Sequence, residues 1–322
     1  MAGPASPDER RFDGDSGVAR YPDRSGLARS PDGTGIAWDV YGDGSPTILL
    51  LPSSPIIHAR QWKGQIHYLS RHFRVIAFDG RGNGRSDRPT DPAAYASEAI
   101  LADLRTVLDA TDTPSAVFVG LCGDGVWRSI QLAAIEPERV LGIVAFGTGV
   151  PLLTPPHPWR VQYDFDAELP TEEGWAKVNR HYWERDYAGF ARFFFEEMAP
   201  EPHSTKVIED AARWTVEGSM EAMLADMMGR GGDDLASVEA TCRAVRCPML
   251  LIHGTDDRCQ PLARAQRLAE LTGAPLVTVD GGGHLIPGRF PVRSNLLIRD
   301  FVRGLPAKDG APAGGPTEAP AR

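Results

Sequence analysis

Short apolar runs alternate with helix-period stretches along most of the chain. Thr47 to Leu51 is a continuous aliphatic run, repeated at Phe73 to Phe78, Ala116 to Val119, Val140 to Phe146, Pro248 to Ile252 and Pro275 to Val279. Runs that are apolar at every position suit strands buried on both faces of a parallel sheet. Gly35 to Tyr41 alternates instead and predicts an early edge strand. Helical patterns fill the gaps at about Ala59 to Arg71, Ser97 to Ala110, Gly123 to Ile135, Pro261 to Leu271 and Pro291 to Val302; the last sets Leu297 and Phe301 on one helix face. Strands alternating with helices predict an α/β fold, a mostly parallel central sheet with helices on both faces.

One stretch breaks the alternation. From Pro151 to about Asp234 no strand pattern occurs; a Pro-rich entry leads into helices carrying Trp159, Trp175, Trp183, Trp214 and a run of Phe and Met. An insertion between two strands of an α/β sheet predicts a helical cap over residues 151–235, on a core built from 25–150 and 236–305. Its aromatics are either the cap's own core or the apolar roof of a pocket. The ends, 1–24 and 306–322, are rich in Gly, Pro and Ala and predict disordered tails.

Composition narrows the partners. The chain has 322 residues, 42% hydrophobic and 24% charged, with a net charge of −9. An acidic chain of this kind is no general nucleic-acid binder. It has no run of 18 apolar residues and no apolar leader segment, so neither membrane insertion nor export is expected and the expected location is cytoplasmic. Four cysteines in such a length do not form a disulfide framework and are expected reduced. Cys242, Cys247 and Cys259 read as packing residues, with no metal-knuckle spacing, so no metal site and no cofactor are expected.

The chemistry concentrates where the strand Ala116 to Val119 runs into Gly120-Leu121-Cys122-Gly123-Asp124-Gly125 and then into a helix. Strand, sharp glycine-flanked turn, helix is the setting of a nucleophile elbow, with the side chain of Cys122 at the helix N-terminus. The chain therefore resembles the α/β-hydrolase superfamily over about Ser25 to Arg303. The serine of that family's Gly-x-Ser-x-Gly elbow is replaced by Cys122, as in dienelactone hydrolases and cysteine-type thioesterases, and Asp124 stands at the fifth position.

The resemblance implies the rest of a triad in the order nucleophile, acid, base. His253-Gly254-Thr255-Asp256-Asp257 follows the strand ending at Ile252, and family spacing implies Asp257 as the acid, with Asp256 as its rival. Asp280-Gly281-Gly282-Gly283-His284 resembles the loop that carries the base, His284. The backbone N–H of Gly123 and that of Ser54 are the implied oxyanion donors, with Ser53 the alternative to Ser54. Phe78 to Ser86 resembles the family's loop after the fourth strand and reads as a turn locked by Asp79 and Arg81, not a phosphate cradle. Ser53, His58, Asp124, Trp127, Trp159 and Trp183 are candidates for binding substrate; Asp124 alternatively caps the helix and points away from the thiol.

These residues imply a cofactor-free hydrolase that cleaves an ester, lactone or thioester through a Cys122 acyl-enzyme. The expected partner is a small acyl substrate, free or held on coenzyme A or a carrier protein; a homodimer is allowed for. Acyl transfer or cyclisation by the same triad, a non-catalytic ligand-binding protein, and a cofactor-free lyase using His284 as base are the alternatives.

Overall fold

The computed structural model describes residues 20–306, apart from 54, 156, 203, 204 and 233. Eight strands form one sheet: β1 (Arg24–Arg29), β2 (Gly35–Tyr41), β3 (Thr47–Leu50), β4 (Arg74–Phe78), β5 (Ala116–Leu121), β6 (Val140–Phe146), β7 (Met249–Gly254) and β8 (Leu276–Val279). Their spatial order is β1-β2-β4-β3-β5-β6-β7-β8. β2 pairs antiparallel with both β1 and β4, and every pair beyond β4 is parallel. The helices are α1 (Lys63–Leu69), α2 (Ser97–Ala110), α3 (Arg128–Ile135), α4 (Arg180–Met198), α5 (Lys206–Glu217), α6 (Met220–Gly229), α7 (Leu235–Ala244), α8 (Leu262–Thr272), α9 (Ile286–Arg289) and α10 (Pro291–Arg303).

β5 and β7 are buried at every position, which is why their sequences are apolar without alternation. Their side chains feed two apolar layers. Val117, Val119 and Leu121 join Trp62, Phe146 and Ile298 on one face, while Phe118 joins Leu104, Ile130 and Leu268 on the other.

The edge strand is β1, not Gly35–Tyr41 as the alternation predicts. β1 is mostly exposed, with Leu27 at 52%, so a run of Arg, Ser and Gly gives no apolar signal. β2 lies inside the sheet between β1 and β4 and is largely buried. Arg24, placed in the N-terminal tail by sequence, opens β1; of the other predicted tail residues, 20–23 and 306 are described, and 1–19 and 307–322 fall outside the described residues.

Between β6 and β7 the described residues contain α4 to α7 and no strand. Asn179 caps α4, its side chain accepting from the backbone N–H of His181 and Tyr182. Trp175, Phe195, Met198 and Trp214 from this insertion lie in the same apolar layer as Val119 and Phe146, so it shares the core beneath it. Tyr182, Trp183 and Phe190 make a further cluster of the insertion's own. No helix among the described residues is long and apolar enough to cross a membrane.

Candidate active site

β5 ends at Leu121, and Cys122 takes φ 60° and ψ −154° before a tight turn over Gly123–Trp127 opens α3. A positive φ is strained for a residue with a Cβ, and such strain persists only where surrounding structure imposes it. Here three glycines allow it. A Cβ on Gly120 would stand 2.3 Å from the carbonyl carbon of Gly125, and one on Gly149 would stand 2.2 Å from the Gly123 nitrogen. The reverse contact, a Cβ on Gly125, would come within 2.8 Å of Gly120 Cα. The elbow can therefore form only where strand and helix backbones touch.

Asp257 follows β7 and His284 follows β8, so the parallel neighbours β5, β6, β7 and β8 deliver the groups to one end of the sheet. His284 Nδ1 lies 2.8 Å from Asp257 Oδ2, and both residues are buried. Asp257 Oδ1 accepts from the backbone N–H of Cys259 and Gln260, each at 2.8 Å. Asp256, the rival acid, is exposed, and its carboxylate accepts from Thr255 Oγ1 at 3.3 Å. The His284 loop is fastened to the insertion: its N–H donates to Met198 O at 2.8 Å, and Gly283 N–H donates to Glu201 Oε1. Gly147 floors the ring, since a Cβ there would stand 2.7 Å from His284 Cε1.

Electrostatics set up a charge-separated pair. Burial opposes an imidazolium at His284, but the Asp257 carboxylate and the two nearby sulfurs outweigh it and hold the ring well above the ordinary histidine value. Asp257, despite burial, is held below the usual carboxylate range by the His284 charge. Cys122 is held well below the usual thiol value, chiefly because Cys259 donates to its sulfur, and then by His284 and the Gly123 N–H against burial. Cys259 moves the other way because it is the donor.

Cys259 packs in the apolar core, as its sequence reading has it, and also faces the site. Cys122 Sγ, Cys259 Sγ and a His284 ring nitrogen all lie within 4.8 Å of one another. Gln260, which sequence reasoning missed, directs Nε2 to Cys122 Sγ at 3.5 Å and Cys259 Sγ at 3.6 Å, while Arg264 donates to its Oε1. The signal for both lay in Asp257 itself, whose side chain accepts from the two N–H groups that follow and so turns the loop back onto the elbow.

With this geometry in place, comparison with known proteins decides the family. Residues 46–288 match the alpha/beta hydrolase fold family. The chain belongs to the α/β-hydrolase fold family. The 2-hydroxymuconate semialdehyde hydrolase of Pseudomonas sp. (strain CF600) is 30% identical over 266 residues, 81% of this chain and 88% of that protein. Protein ABHD8 of Bos taurus is 27% identical over 244 residues; the match takes in 75% of this chain, which spans about half (52%) of ABHD8's length. Among solved structures, the esterase RhEst1 from Rhodococcus sp. ECU1013 has a TM-score of 0.73 at 22% identity, covering 88% of this chain and 99% of that one.

In this α/β hydrolase the other sequence candidates separate by place. Ser53 is buried, with its hydroxyl 3.2 Å from both Leu121 O and Gln61 Oε1, so it ties the loop after β3 to the strand end before Cys122. Ser54 lies outside the described residues. Asn83 reinforces the same loop by donating from Nδ2 to Pro55 O at 2.6 Å, and Asp79 and Arg81 do lock their turn, Asp79 on the N–H of Ala59 and Arg85, Arg81 on Asp103. His58 accepts from Arg60 N–H, its ring packs at a tilt against Trp214, and its Nε2 lies 3.5 Å from Glu217. Asp124 makes no helix cap; its carboxylate pairs with Arg230 at 2.6 Å, which offsets its charge beside the thiol.

None of the three tryptophan candidates stands at the dyad. Trp127 packs in the same apolar layer as Val126, Ile130 and Phe118. Trp183 lies in the insertion's own cluster and donates to Lys177 O, and Trp159 is 46% exposed, its carbonyl accepting from Trp175 Nε1. Instead, a cavity of about 410 Å³ opens beside the elbow, walled by Leu121 and Leu285, the immediate neighbours of Cys122 and His284, and by Ile57, Trp62, Ala211 and Trp214.

Proposed function

We propose that the chain is a cofactor-free hydrolase of esters, lactones or thioesters that acts through a thioester acyl-enzyme on Cys122. One observation carries the reading: a partly exposed thiol held at positive φ shares a site with an imidazole that a buried carboxylate grips at 2.8 Å. The grip on Nδ1 leaves Nε2 for the thiol and stabilises the ring once it is protonated.

The steps follow from that arrangement. With the Cys122 proton on His284 Nε2, Sγ adds to the substrate carbonyl. The Gly123 N–H, at the start of the turn, is the donor proposed to face the oxyanion, in the family's manner. Collapse breaks the bond to the alkoxide or thiolate leaving group, which takes the proton from His284. Water then gives a proton to His284 and its oxygen to the acyl carbon; the acid departs and the thiol is restored. The apolar cavity beside Leu121 accommodates the acyl part. Lys63 and Lys206 on its wall both pair with Asp210.

The test is steady-state cleavage of a panel of activated esters, lactones and acyl thioesters. Asp257→Asn is expected to lower kcat by about 10³–10⁴-fold with KM little changed, because it leaves the pocket intact and loses the imidazole's orientation. Full turnover in Asp257→Asn would exclude this triad. A new ester or amide in place of free acid, when an alcohol or amine is added, would assign the chain to acyl transfer.

A further inference from the structure

The acyl chemistry uses only part of the donor set at the elbow. Cys122 Sγ, Cys259 Sγ and a His284 ring nitrogen come from three separate loops and converge within 4.8 Å of one another. Two sulfurs and an imidazole match a thiophilic divalent ion, Zn²⁺ foremost, and Cys₂His is a ligand set that leaves a fourth position for water. Zn–S bonds of about 2.3 Å and Zn–N bonds of about 2.0–2.1 Å space tetrahedral ligand atoms by about 3.5–3.8 Å. Side-chain shifts of about an ångström therefore close the set.

Two further observations point to a cation. Asp257 Oδ2 holds His284 Nδ1 at 2.8 Å, the carboxylate–imidazole arrangement that orients a metal-binding histidine and frees Nε2 toward the thiols. Gln260 Nε2 stands 3.5 and 3.6 Å from the two sulfurs, so both already face one shared positively polarised donor.

We propose that Cys122, Cys259 and His284 bind one soft divalent cation, with the fourth position open to solvent, and that this ion and an acyl group exclude each other at Cys122. Binding forms two metal–sulfur bonds and one metal–nitrogen bond and expels two protons to solvent, one from Cys259 and one from the Cys122–His284 pair. No electron is transferred. The site goes beyond the acyl-enzyme reading and stands or falls separately from it.

The test uses the full chain, reduced and freed of metal, titrated with Co²⁺ alone. A thiolate-to-cobalt charge-transfer band is expected to saturate at one ion per chain, with two protons released per ion, and to bleach when Zn²⁺ is added. Asp257→Asn is expected to weaken cobalt binding about 10–100-fold. Cys259→Ser, which loses a ligand outright, weakens it by more than about 100-fold, whereas Cys242→Ser keeps the band. Absence of the band in the parent protein, or a saturating band that survives in Cys259→Ser, overturns the proposal, and the first result needs no variant to fold. An acyl adduct on metal-free Cys122 is read separately by mass, so loss of either activity leaves the other interpretable.

Discussion

At the scale of single residues, the site separates the groups that react from those that arrange them. In the proposed mechanism Cys122 and His284 share the proton, while Asp257, Gln260 and Arg264 hold positions, and Gln260 does so for both sulfurs at once. Gln260→Ala is expected to slow acylation of Cys122 severalfold while leaving thermal stability nearly unchanged, since the side chain is only partly buried; iodoacetamide labelling rates with a melting curve on the same sample would check it. The convergence of Cys122, Asp257 and His284 was legible in sequence because each sits on a glycine-marked turn after an apolar strand. Cys259 and Gln260 were not, because their approach to Cys122 depends on how the Asp257 side chain folds its own loop, a contact with no periodic trace. The tryptophans misled for a related reason: their size marked them as pocket residues, but Trp127 and Trp183 are consumed by packing.

At the scale of elements, the elbow is a close approach of β5 and the turn into α3, and its glycines carry the cost of any change. Gly120→Ala places a Cβ 2.3 Å from backbone that cannot rotate aside, so a loss of at least about 3 kcal/mol is expected. Gly231→Ala, where nothing lies within 4 Å, is expected to stay within about 0.5 kcal/mol. Urea midpoints for the two variants make the comparison, and equal midpoints would contradict this account of the elbow. Six apolar runs and one alternating stretch revealed seven of the eight strands, and β2 to β7 are buried at most of their positions. β1 escaped, since an exposed edge of Arg, Ser and Gly has no core to announce it.

At the scale of the molecule, the insertion is coupled to the sheet through polar groups as well as apolar ones. Arg230, just after α6, bridges Asp226 and Asp124, each at 2.6 Å, and so joins the insertion to the elbow. Burial raises Asp226 to about 7, Asp124 adding to the effect and Arg230 and Arg128 opposing it. An acid with a raised value in the folded state holds its proton there after the unfolded chain has lost it. Stability from this group is therefore present at low pH and declines as pH rises from about 4 to about 7. Asp226→Asn is expected to remove that slope, gaining stability relative to the parent as pH approaches 7; parallel urea curves at pH 5 and 7.5 test it, and an unchanged slope would refute it.

The central claim is that Cys122 carries the acyl group. Intact mass measured within seconds of mixing the metal-free protein with acyl thioesters and activated esters tests it most directly. The account predicts one acyl unit added to the parent, lost with hydroxylamine and absent in Cys122→Ala. No adduct in the parent from any donor that the protein turns over, or the same adduct in Cys122→Ala, would contradict it.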